Sequence, residues 1–141
     1  MTRPVPVPDD VSAPHWAAAA DHVLTIAKCS ACGSYAHPPG IVCGYCGSTE
    51  PGFTFSPVTG RGRVLTWTVA RQPFLPGFAT PYVLVDVELE EQKDLRIVAR
   101  LLDVDAREGF DADLHVGARV EVAFEELADG IVVPAFRLVS P

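Results

Sequence analysis

The sequence lacks any apolar run long enough to cross a bilayer. A membrane-spanning helix needs roughly 18–20 consecutive apolar residues, and no run in this chain of 141 residues approaches that length. The first eight residues, MTRPVPVP, contain no apolar core of the kind that a signal peptide requires. We therefore predict neither membrane binding nor secretion, and we expect a cytoplasmic protein.

Basic residues are also scarce. The chain has 11 lysine and arginine residues against 18 aspartate and glutamate residues, and its formal net charge is -7. Proteins that bind nucleic acids usually carry a basic surface, because neutralisation of phosphates supplies most of their affinity. The charge balance therefore argues against a nucleic-acid partner.

Recognisable catalytic motifs are absent as well. The sequence has no Ser-His-Asp spacing signature, no glycine loop that would cradle a phosphate and no H-E-x-x-H motif. His15, His22 and His115 fall in different predicted elements, and the tyrosines are more typical of core or interface positions. We assign no catalytic residue and expect no enzymatic activity from the chain alone.

The clearest motif is a set of four cysteines in two C-x2-C pairs, separated by ten residues: Cys29, Cys32, Cys43 and Cys46. Each pair directs two sulfurs at one ion, and four thiolates complete the tetrahedral shell of a structural zinc site. Gly33 and Gly47 follow the pairs, where a tight turn favours a positive φ. We predict one structural Zn2+ ion per chain, with these four cysteines as its ligands.

Other uses of the cysteines fit the sequence less well. Two disulfides would need an oxidising compartment, which the absence of a signal peptide disfavours. A thioredoxin-like redox motif would need a surrounding βαβ pattern, which neither pair has. His37 lies between the pairs, and we interpret it as a surface residue or a neighbour of the site, not as a ligand.

The chain is predicted to be mainly β and to consist of three parts. Residues 1–22 form a proline-rich arm and a short helix, which Ser12 caps. Residues 23–56 form a rubredoxin-like zinc ribbon, in which the metal largely substitutes for a core. Residues 57–141 form the last part, in which apolar and polar side chains alternate with a period of two from residue 62 onwards, which indicates half-buried strands.

Five strands are expected in this last part, and they match a five-stranded OB-fold barrel. The dipeptide Asp129-Gly130 predicts a hairpin before the last strand. Residues 103–117 are polar and could hold a helical turn. Carboxylates of the second strand are expected to pair with Arg96 and Arg100 of the third across a hairpin.

An uncharged segment, residues 72–81, joins the first two of these strands and carries Phe74, Leu75 and Phe78. Exposed apolar patches usually mark interaction sites. We hypothesise that this loop and the ribbon contact a partner, together with Trp16 of the helix and Tyr82 after the loop. The alternative is that Phe74 and Phe78 fold back over the end of the barrel, and that Trp16 packs within its own domain.

Short motifs along nearly the whole chain resemble those of the acyl-CoA-associated zinc-ribbon/OB-fold family, long catalogued as a domain of unknown function. They are His15-Trp16, KCSACG at 28–33, the two prolines at 38–39, CGS at 46–48, GRG at 60–62, PYV at 81–83 and VGARV at 116–120. Gly40 and Gly44 depart from the arginine and the proline that are common in the family. The missing arginine argues against a phosphate or CoA contact in that loop.

The resemblance implies an accessory role in lipid metabolism. Members of this family accompany thiolase-like enzymes or acyl-CoA hydratases, and are thought to stabilise the partner, shape its acyl-CoA site or channel the CoA arm. In actinobacterial steroid degradation, such a domain pairs with a thiolase-like aldolase that acts on a steroid-CoA adduct. A thiolase-like partner, an acyl-CoA substrate of the complex and a heterotetramer are therefore implied here. The alternative is a nucleic-acid-binding zinc-ribbon and OB module, which the acidic balance disfavours.

Overall fold

The computed structural model describes residues 3–106 and 113–139. The elements within them are α1 (Ala13–Ala20), β1 (Thr25–Lys28), β2 (Tyr35–Ala36), β3 (Thr54–Pro57), β4 (Arg61–Ala70), β5 (Tyr82–Leu89), β6 (Arg96–Leu102), β7 (Arg119–Ala128) and β8 (Ile131–Leu138). The first three strands form a sheet in the order β2-β1-β3, and the other five close into a barrel in the order β4-β5-β6-β8-β7. The predicted order of helix, cysteine ribbon and five-stranded barrel is confirmed. In the described part, no helix is long and apolar enough to cross a membrane.

The start of α1 differs from the prediction in one detail. Ser12 occupies the N-cap position, but its side chain makes no capping hydrogen bond. Its hydroxyl instead accepts a hydrogen bond from the backbone N–H of Asp9 at 3.1 Å, and its own N–H donates to Asp9 Oδ1 at 2.7 Å. The two residues therefore close the turn before the helix, and the bond from Ser12 N–H lowers the pKa of the Asp9 carboxyl.

The barrel core confirms the period of two along β5. Val83, Val85, Val87 and Leu89 are all buried and form one cluster with Phe136 of β8. The hairpin predicted at Asp129-Gly130 joins β7 to β8. A helical turn was expected within residues 103–117; residues 107–112 lie outside the described residues, and residues 103–106 and 113–117 contain no helix.

The ribbon does not stand apart from the barrel. Leu24 and Ile26 are 2% and 0% exposed and belong to the same apolar cluster as the barrel strands. On the other side of the ribbon, Tyr35 N–H donates to Gln92 Oε1 at 2.8 Å, and Gln92 Nε2 donates to the Tyr35 carbonyl at 2.9 Å. The side-chain amide of Gln92 thus forms the two hydrogen bonds with Tyr35 that a neighbouring strand would form. It connects the ribbon to the turn between β5 and β6.

The helix covers the outside of the barrel next to the ribbon. It packs against β8. Ala19 of the helix and Ala135 of the strand are both buried. Here β6 and β8 run parallel and pair only at Leu101 with Phe136 and at Leu102 with Arg137. Pro134 lies beyond that short pairing, where its missing N–H costs no hydrogen bond to β6.

The cross-hairpin ion pairs are confirmed in part. Arg96 forms an ion pair with Asp86 of β5, as predicted. Arg100 does not pair within the hairpin; its Nη1 lies 2.8 Å from Glu125 Oε2 of β7. The prediction for Arg100 was therefore wrong, because closure of the barrel brings β7 within reach of a long side chain from β6.

The GRG motif at residues 60–62 has a packing reason, which gives a first prediction. A Cβ on Gly62 would lie 2.4 Å from the Glu88 carbonyl oxygen and 2.7 Å from Val87 Cγ1. We expect Gly62→Ala to lower the free energy of unfolding by about 2–3 kcal/mol, measured by urea denaturation. Gly44→Ala is the control, because a Cβ there meets nothing within 4 Å. Equal losses in both variants would show that close packing is not the reason.

Candidate metal centre and apolar loop

The two cysteine pairs adopt the same backbone turn. The Cys29 carbonyl accepts from Gly33 N–H at 2.8 Å, and the Cys43 carbonyl accepts from Gly47 N–H at 2.9 Å. Both glycines have a positive φ, at 77° and 74°, a conformation that a side chain would strain. The turns that the sequence predicted from glycine placement are thus present at both pairs.

The four sulfurs lie together at the end of β1. All of them are within 4.8 Å of one another, and Sγ of Cys29 lies 3.9 Å from that of Cys46 while Sγ of Cys32 lies 3.8 Å from that of Cys43. Bonds of ~2.3 Å from zinc to sulfur in a tetrahedron place the sulfurs about 3.8 Å apart. The donor set therefore fits a structural metal of the zinc type, and His37 is not part of the cluster.

Hydrogen bonds and mutual repulsion set the acidity of these thiols. Hydrogen bonds from Ser34 lower the pKa of Cys32 to about 6, and the backbone N–H groups of Cys46 and Tyr45 lower the pKa of Cys43. A backbone bond from Ser48 lowers the pKa of Cys46, but desolvation and the three other sulfurs outweigh it and raise the value to about 11. With its pKa raised in this way, the Cys46 thiol ionises near neutral pH only when a cation binds it.

The loop between β4 and β5 exposes only part of its apolar content. Phe74 and Leu75 are 73% and 48% exposed. Phe78 is half-buried, with its ring 5.1 Å from the ring of Tyr82, which is itself buried. The alternative interpretation, in which the phenylalanines fold back, is therefore correct for Phe78 but not for Phe74. Tyr82 packs under Phe78 at the base of the loop and does not form the loop's outer surface.

Trp16 lies on a different feature, a groove of about 560 Å³ between the helix, the ribbon and the barrel. Its ring stacks edge-on against His15 at 4.8 Å, and His15 Nδ1 donates to the Thr25 carbonyl at 3.0 Å. The groove is also lined by Phe55 and Pro134, and none of its lining residues comes from the apolar loop. Trp16 and the loop are therefore two separate candidate contact regions.

One cluster of charged residues was not predicted from the sequence. Arg3 and Arg100 both bond to Glu125, and the first of these pairs joins residues 122 positions apart. Nothing in the sequence of the proline-rich arm indicates that Arg3 will reach Glu125 on β7. The alternation of polar and apolar residues identifies the face of a strand, but it does not identify the partner of a long side chain.

Comparison with known protein families assigns both halves of the chain. Residues 16–52 match the family described as "ChsH2, rubredoxin-like zinc ribbon domain". Residues 56–125 match the family described as "ChsH2, C-terminal OB-fold domain". The resemblance that the short motifs indicated is thereby confirmed across most of the chain.

Two relatives extend the comparison. A "Probable enoyl-CoA hydratase alpha subunit" of Thermomonospora curvata is 32% identical over 139 residues, which are 99% of this chain but only 41% of that protein. A solved structure named "Ltp2-ChsH2(DUF35) aldolase" contains a chain that is 32% identical, with a TM-score of 0.78. That match covers 94% of this chain and 98% of the other. The chain therefore belongs to the ChsH2 family, whose members join a rubredoxin-like zinc ribbon to an OB-fold domain.

Proposed function

We propose that this chain is a non-catalytic accessory subunit that binds and stabilises a thiolase-like acyl-CoA enzyme and helps to shape its acyl-CoA site. The observation that carries the proposal is the match over nearly the full length to a chain of the Ltp2-ChsH2(DUF35) aldolase. An aldolase of steroid side-chain degradation is the partner that the resemblance favours. Two copies of each protein, in a heterotetramer, are the expected assembly.

The metal centre supports a structural role on this chain. Four cysteine sulfurs close a tetrahedral shell around one Zn2+, which leaves no position open for a substrate. Cys29 and Cys43 are 1% exposed, so one side of the site is covered by protein. The reacting groups are accordingly expected on the partner, and zinc would keep the ribbon in the shape that the partner recognises.

The apolar loop supplies a surface for that partner. Burial of a phenylalanine or leucine side chain contributes about 1.5–3 kcal/mol, so Phe74 and Leu75 can both act as anchors. Phe78 and Tyr82 already hold the base of the loop. Less conformational freedom is then lost on binding than a fully mobile loop would lose.

The loop proposal is tested by the double change Phe74→Ser and Leu75→Ser. Both side chains point away from the core, so folding should be retained while the affinity for the thiolase-like partner falls at least tenfold. The measurement is co-purification after co-expression with the thiolase-like proteins of the same genome, followed by titration calorimetry and native mass spectrometry for stoichiometry. Val116→Ser is the matched control, since Val116 is 68% exposed on another loop. Undiminished complex formation by the double variant would refute the loop as the interface.

The zinc proposal is tested by Cys29→Ser. Loss of one buried thiolate should release the ion, loosen the ribbon and weaken partner binding, because a three-sulfur set no longer closes the shell. Elemental analysis should find one zinc per chain in the parent protein and much less than one in the variant. Ala31→Ser lies in the same turn without touching the sulfurs' chemistry and should keep its zinc. Full retention of zinc by Cys29→Ser would contradict the ligand assignment.

A further inference from the structure

Two arginines share one carboxylate beside the base of the apolar loop. Glu125 Oε2 lies 2.9 Å from Arg3 Nη1 and 2.8 Å from Arg100 Nη1. The side chains of Glu125, Arg3 and Arg100 are 15%, 18% and 30% exposed. The group is thus shielded from water over most of its surface, and it carries one positive charge in excess.

The sharing of a single oxygen leaves this group incompletely bonded. Arg3 Nε, Arg100 Nε and Glu125 Oε1 are buried and have no hydrogen-bond partner among the described residues. An arginine and a carboxylate pair best through two parallel hydrogen bonds, and two arginines cannot both do so with one carboxylate in this arrangement. Unpaired buried polar atoms disfavour a structure, so a second carboxylate would improve the bonding as well as the charge balance.

The same group is in contact with the apolar loop. The guanidinium carbon of Arg3 lies 4.3 Å from the centre of the Phe78 ring, in a cation–π contact. Phe78 in turn packs on Tyr82 at the base of the loop. A partner that covers Phe74 and Leu75 would therefore extend towards the two arginines through Phe78.

We propose that the partner places an aspartate or glutamate side chain against Arg3 and Arg100, next to the site where Phe74 and Leu75 dock. One arginine would then pair with Glu125 through two hydrogen bonds, and the other would pair with the incoming carboxylate. Two cations would face two anions, and the interface would combine an apolar anchor with a charge pair. This inference rests on the proposed partner-binding function, and it specifies the chemistry of the partner's surface.

The test compares two arginines of the same strand. Arg100→Gln removes the excess charge but leaves Arg3 paired with Glu125, so the thermal unfolding temperature should stay close to that of the parent protein. Its dissociation constant with the thiolase-like partner should rise about tenfold or more, and that constant should depend less steeply on salt concentration. Arg96→Gln is the matched control, because Arg96 already has a one-to-one pair with Asp86. Arg100→Lys retains the charge and should recover most of the affinity.

The results separate this inference from the broader proposal. If Arg100→Gln binds like Arg96→Gln while the serine changes at Phe74 and Leu75 abolish binding, the charge pair is refuted and the accessory role stands. If neither set of changes affects binding, the charge pair and the loop interface are both refuted, while the accessory role stands because the complex still forms. The accessory role itself fails if the parent protein binds no thiolase-like protein. Replacement of the partner's surface aspartates and glutamates by their amides, with the parent form of this chain, provides a second measurement. The inference is also overturned if none of those changes weakens binding, or if inorganic phosphate binds the isolated chain through Arg100, since the anion would then be a small molecule.

Discussion

The docking of the ribbon into the barrel is the constraint on which the rest of the structure depends. Leu24 and Ile26 lie in the segment that leads into the first cysteine pair, yet they are buried in the barrel's apolar cluster. A ribbon of short strands has little apolar material of its own, and burial of two large side chains contributes about 3–6 kcal/mol. The cysteine site follows Ile26 by three residues, so its position relative to the barrel is fixed by the same contacts.

Features that depend on neighbouring residues could be predicted from the sequence. The turn of each cysteine pair is determined by the residues within and next to that pair. The strands of the barrel are recognised from their alternation of apolar and polar residues, and the turn at Asp129-Gly130 depends only on its own two residues. The cysteine ribbon and the barrel followed from these. Which residues make up the partner surface stays a prediction, because an interface depends on a second molecule.

Features that depend on distant residues could not be predicted. Arg100 was expected to pair with the adjacent strand, whereas its carboxylate lies on β7 and is also held by Arg3 of the arm. Ser12 is a local exception, since its hydroxyl bonds to the N–H of Asp9 only three residues away, in the turn before the helix, and not to the first turn of the helix. In both cases the predicted hydrogen-bond partner was a plausible neighbour in sequence. The observed partner is a different group that the folded structure brings closer.

The short parallel pairing of β6 with β8 has a consequence for the order in which the molecule can be completed. β8 is the last strand of the barrel, and it also provides the surface on which α1 packs. During synthesis the helix emerges from the ribosome long before that surface exists, and a helix of eight residues is marginal by itself in water. The packing of the helix against β8 can therefore be completed only after β8 has been made, whereas the hydrogen bond from His15 to the Thr25 carbonyl of β1 needs no part of the barrel.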